Sequence, residues 1–219
     1  MLPPDPRSWR PYMEHAMNRQ TTQALASITD EGLFECIATD VLREDNSLYR
    51  LMVQTGVNAD GKTVKAPVDG ICFVPYANPP HMIAVHHTIT SRKNLKDKWL
   101  YNPSNGTSRR LSPSGDLIKT AEVAANERQR TPNLAVTLVL TTNQEPNEAL
   151  IRDVNFMGEK YEIEIDIWSC SRLSHFLDSP HGQWLRRKYL GIEQEELSIE
   201  LLKELSQKKL GDPTQKYAG

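Results

Sequence analysis

Cysteine is scarce in this 219-residue chain, with three residues (Cys36, Cys72, Cys170) and no CxxC spacing. Two of the three sit inside apolar patterns, so buried thiols in a reducing, cytoplasmic compartment fit better than disulfides or structural zinc. No apolar run approaches the ~18 residues of a membrane span, and residues 1–15 lack the apolar core of a signal peptide. Charge of one sign is also missing: 26 Lys and Arg face 28 Asp and Glu, for a net charge of -2. Any contact with a polyanion must therefore come from a local basic patch. What remains is a soluble globular composition, long enough for one sizeable core and a small helical appendage.

Residues 1–28 are Pro-rich at the start and are expected to form an N-terminal arm. A helix is predicted from about Thr29, with Thr29 or Asp30 as cap and Leu33, Phe34, Ile37, Ala38, Val41 and Leu42 at helical spacing. Strands are predicted over 48–55, 68–74 and 81–90, and a short helix over 94–101. A loop over 102–115, rich in Ser, Gly, Pro and Arg, is expected to be mobile. A long helix should follow from Ser114 or Gly115 to Arg130. The continuous apolar run over 134–141 has the form of a strand buried on both faces. A helix over 145–157 and an alternating strand over 161–168 follow, and only short amphipathic helices come after Trp168. The order predicts an α/β fold, a mixed central sheet flanked by helices over 29–176, with a helical extension over 177–219.

Candidate chemistry concentrates between Gln54 and Leu100. Asp69 lies between Val68 and Ile71, and a carboxylate in apolar strand company is costly unless it is paired or metal-bound. It is either a turn cap or a ligand for Mg²⁺, which needs only one or two carboxylates beside its waters. Asp60, in an Asp-Gly pair, reads as a turn residue. Alternation along the strand puts His86 and Thr88 on one face with Ala84, and His87 on the other with Val85. His86 is a base, a metal ligand or a polar strand end. Glu35, beside Phe34, is a surface glutamate or a carboxylate turned into the site. Lys93, Lys96 and Lys98 follow the strand; they form a solvated face or reach a phosphate. Arg109 and Arg110 in the loop are basic candidates for nucleic-acid contact. Arg186, Arg187 and Lys188, beside Trp184 and Tyr189, suit phosphate contact and base stacking, but read more simply as the solvated side of an amphipathic helix.

These residues resemble the restriction-endonuclease-like PD-(D/E)xK superfamily, within it the Mrr-like branch. Gly32, Phe34 and Glu35 match a G-x-F-E-like opening helix, and ADGK…APVDG resembles the Gly-rich aspartate motif, with Asp69 as metal-binding acid. HMIAVHHT stands where the (D/E/Q)-x-K strand should be, and LAVTLVLT and EIEIDIW resemble the closing strands. The resemblance spans residues 29–176. It implies a DNA endonuclease using Mg²⁺, or Mn²⁺, with Asp69 and His86 as ligands, Glu35 auxiliary and Lys98 stabilising the transition state. Lys93, Lys96, Arg109 and Arg110 would contact the nucleic acid. A nuclease that cuts both strands works as a pair, so a homo-oligomer is expected by analogy.

The layout, the phrase LSHFLDSPHGQWLRRKYLGIEQEELS and the Leu-rich end also resemble the N-terminal effectors of Avs-type antiphage STAND proteins. Those join the nuclease to an NTPase and a sensor region. One departure stands out. His86-His87-Thr88 supplies neither the carboxylate nor the lysine of the (D/E/Q)-x-K strand. Either the lysine has moved to the next helix, or the domain binds DNA or a partner without cutting.

Overall fold

The structure, a computed structural model, describes residues 19–55, 66–103 and 114–193. Asp60, Arg109 and Arg110, and most of the predicted loop over 102–115, lie outside the described residues, as do residues 1–18 and 194–219.

Five strands form one mixed sheet in the order β1-β2-β3-β4-β5. They are β1 (Val53–Gln54), β2 (Gly70–Val74), β3 (His81–Thr88), β4 (Ala135–Thr142) and β5 (Glu164–Trp168). The first three pair antiparallel, and β3, β4 and β5 pair parallel. The helices are α1 (Glu31–Asp45), α2 (Leu95–Leu100), α3 (Asp116–Arg130), α4 (Glu148–Lys160), α5 (Cys170–Asp178) and α6 (Gln183–Leu190). Residues 19–26, expected within the arm, are also helical and seat Leu25 in the core beside Phe34. The expected α/β architecture with a helical C-terminal region is what the chain adopts.

Local chemistry sets the boundaries. The Asp30 carboxylate caps α1 by accepting from the Leu33 N–H at 2.9 Å. The strand predicted over 48–55 is instead a 3-10 turn (Ser47–Leu51) followed by the two-residue β1. The cause is Asn46, whose side chain accepts from the Leu48 N–H at 2.9 Å and starts the turn. The helix predicted over 145–157 starts three residues later, because Asn147 caps it through the Leu150 N–H. It runs on to Lys160, and Glu162 then takes a positive φ of 56°, so β5 begins only at Glu164.

Two cores sandwich the sheet. On one face Phe34, Ile37 and Val41 of α1 pack on Ile83, Val85 and Val139, joined by Trp168, Leu173 and Leu185. On the other, Leu95 and Trp99 of α2, Leu117 of α3 and Val154 of α4 pack on Met82, Leu138 and Leu140. Strands β3 and β4 are buried on both faces, which is why each reads as an unbroken apolar run. Among the described residues no helix is long and apolar enough to cross a membrane.

Candidate active site

Polar residues appear where β3 leaves the apolar layer. Strand β2 runs antiparallel to β3 with Gly70 opposite Val85, so Asp69 at its start lies beside His86 and His87 at the end of β3. The Asp69 N–H donates to the Val85 carbonyl at 3.0 Å, and its Oδ2 accepts from the His87 N–H at 2.8 Å. Asp69 is therefore pinned to the neighbouring strand and is no free turn cap. The carboxyl ends of parallel strands are where open α/β sheets place their sites.

The two faces of β3 then diverge. His87 turns toward α1, its Nε2 3.1 Å from Thr39 Oγ1 and its Nδ1 2.7 Å from Thr141 Oγ1. Gln54 Nε2 donates to the same Thr39 hydroxyl at 3.0 Å. Burial pushes the His87 pKa down to about 4, against the opposing pull of the Asp69 charge, so this ring is neutral scaffolding at pH 7.

His86 turns toward α2 and α3. Its Nδ1 lies 3.6 Å from Asp69 Oδ2 and 3.6 Å from Asp116 Oδ1, ion-pair distances beyond hydrogen-bonding reach. Asp116, wholly buried at the start of α3, also meets Lys119 Nζ at 3.0 Å and Lys98 Nζ at 3.3 Å through Oδ1. Asp116 Oδ2 and His86 Nε2 are buried without a hydrogen-bond partner among the described residues.

Gly115 makes this crossing possible. A Cβ there would sit 2.6–2.8 Å from backbone atoms of Trp99, Leu100 and Tyr101, and its N–H donates to the Tyr101 carbonyl at 2.7 Å. The end of α2 thus abuts the start of α3, which brings Lys98 to Asp116.

Two carboxyl groups are pushed apart in acidity. Burial would raise Asp69, but the His86 imidazole and the His87 N–H more than offset it and hold its pKa at about 2. Glu35, 4% exposed on α1, is raised to about 7 by burial, then by the charges of Asp69 and Glu31, with Lys98 opposing. It is not the surface glutamate of the simpler reading.

Other predicted contacts separate from this cluster. Lys96 pairs with Asp153 of α4 at 2.7 Å on the surface, and Lys93 is exposed in the 3-10 turn Arg92–Asn94. Of the three lysines only Lys98 is drawn in. Arg186 departs from expectation: it is 1% exposed, donating to Asp178 at 2.8 Å and to the Glu193 carbonyl at 3.0 Å. Burying the guanidinium requires such partners, so it is a structural link. Lys188 pairs with Asp40 at 3.0 Å, and Arg187 with Glu193 at 3.3 Å.

Asp116 and Lys119 were not among the sequence candidates. The only sequence signal is a D-x-x-K spacing in the first turn of a helix, which the helix dipole alone explains. Dipole preference does not require complete burial, and burial is what distinguishes Asp116.

Among the described residues, no group of three or more His, Cys, Asp or Glu side chains is placed to hold a metal ion. Glu35 and Asp69 lie near enough for the Asp69 charge to raise the Glu35 carboxyl. No family model, curated protein or solved structure matches the chain.

Proposed function

We propose that this chain is a divalent-metal-dependent DNA endonuclease that hydrolyses the phosphodiester bond, acting as the effector of a larger antiphage assembly. The observation that carries the hydrolytic part is the pair Asp69 and His86, 3.6 Å apart at the end of β3. His86 links this pair through Asp116 to Lys98, and Glu35 is within reach of the Asp69 charge. The larger assembly, the cytoplasmic setting and the paired oligomer rest on the sequence resemblance alone.

Asp69, ionised at neutral pH, and Glu35 would hold Mg²⁺ or Mn²⁺, with His86 as the imidazole neighbour. Such an ion supplies charge neutralisation on the phosphate and a more acidic bound water. Glu35, raised to about 7 by burial and the Asp69 charge, would be drawn into its ionised form as the ion offsets that charge. Lys98 stands in for the lysine that β3 lacks, offering an ammonium to the charge developing on the phosphate. His86, held between two carboxylates, orients the acid side of the site against the basic side.

A second reading draws on one observation: the (D/E/Q)-x-K strand carries His86-His87-Thr88, and His87 is spent on scaffolding. On that reading the domain binds DNA or a protein without cutting it. Incubating plasmid DNA with the parent and with Asp69→Ala, in Mg²⁺ and in Mn²⁺, separates the two. The nuclease reading expects the parent to degrade the plasmid and the variant to leave it intact. A parent inert with every divalent ion favours the binding module, and a variant as active as the parent removes Asp69 from the site.

A further inference from the structure

Three cationic or imidazole nitrogens converge on a single oxygen, Asp116 Oδ1: Lys119 at 3.0 Å, Lys98 at 3.3 Å and His86 at 3.6 Å. Asp116 itself is wholly buried, while the two lysine side chains are 28% and 30% exposed. One ammonium is enough to neutralise one carboxylate, so the second is surplus to the needs of Asp116. Because both contact the same atom, the ammoniums lie within the sum of those two distances of each other, and like charges so close repel. Each ammonium carries three N–H donors, and Asp116 Oδ1 can engage only one from each. Among the described residues neither ammonium meets another acceptor, and both side chains reach a part-open surface beside the end of β3. An anion between the two nitrogens would relieve the repulsion and use the spare donors.

We propose that Lys98 and Lys119, gathered by the buried carboxylate of Asp116, form a subsite for one backbone phosphate of a nucleic acid. The identity of the anion rests on the nuclease reading; the anion preference rests on the charge arrangement. Lys119 thereby enters the site as a substrate-contacting residue, and Asp116 as the positioning residue that ties both lysines to His86. Lys96 is the internal contrast: its ammonium is matched one to one by Asp153 on the surface and leaves no surplus.

The test measures binding of a short labelled DNA duplex to the full chain in EDTA, across a series of salt concentrations, so that no cleavage intervenes. Lys98→Gln and Lys119→Gln should each weaken binding about tenfold and lower the slope of log affinity against log salt by about 1. Lys119→Arg should keep the parent's slope, and Lys96→Gln should not change it. A structural role for the lysines would alter melting temperature and leave the salt slope intact, so both are recorded for every variant. Slopes equal to the parent's in both glutamine variants overturn the proposal, as does a parent that binds no duplex at the lowest salt. If the slopes fall while the parent leaves DNA intact with every divalent ion, the phosphate subsite stands and the nuclease reading fails.

Discussion

Replacing Glu35 with glutamine removes a titration that the fold makes costly. Glu35 has its pKa raised from 4.5 to about 7, first by burial and then by the charge of Asp69. A carboxyl whose pKa is higher in the folded chain is favoured there in its protonated form. Its stabilising contribution is complete below about pH 4.5, declines as pH rises, and is gone above about pH 7. At about 1.4 kcal/mol for each pH unit, the full loss is about 3 kcal/mol. Any solvent reaching the ionised group would screen it, which makes this an upper bound. A glutamine amide at this position does not titrate, so E35Q should match the parent near pH 4 and exceed it by up to about 3 kcal/mol at pH 8. For a chain of this size that is roughly 6–12 °C in melting temperature. Thermal unfolding of both proteins from pH 4 to 8, in EDTA, is the assay. Adding Mg²⁺ at pH 8 should stabilise the parent more than E35Q, because the ion offsets the repulsion between Glu35 and Asp69. Unfolding curves that run parallel at every pH would refute the reasoning.

Three further outcomes follow from the same geometry. His87, with its pKa lowered from 6.5 to about 4 by burial, resists protonation in the folded chain. Its contribution is present above about pH 6.5 and lost as pH falls toward 4, so H87N should flatten that part of the acid unfolding profile. Arg186→Ala leaves Asp178 part-buried without its guanidinium and should cost about 3–5 kcal/mol in chemical denaturation, whereas an exposed arginine would cost almost nothing. Gly115→Ala forces α2 and α3 apart, and should lose about 1–3 kcal/mol of stability together with duplex binding through Lys98.

The legible part of the site was the part carried by strand alternation. Once β2 and β3 pair antiparallel, Asp69 and His86 must meet, and the two-residue period sends His87 to the opposite face. Glu35 was readable only as an edge position on α1, because its burial depends on how that helix lies over β3. Asp116 was hidden for a different reason. An acid in the first turn of a helix has a sufficient local explanation, and its meeting with Lys98 depends on a backbone crossing at Gly115. The misread strand over 48–55 shows the same limit, since one Asn46 side chain outweighs a run of apolar residues. Arg186 looked solvated because its partner Asp178 comes from another helix.

The groups at the end of β3 are proposed to hydrolyse DNA with a divalent ion. The most direct measurement is the single-turnover cleavage of a labelled duplex by the parent in Mg²⁺ or Mn²⁺, beside EDTA and Asp69→Ala. Cleavage should depend on the ion and be lost in the variant. Cleavage that persists in EDTA or in Asp69→Ala, or that never occurs with either ion, would contradict it.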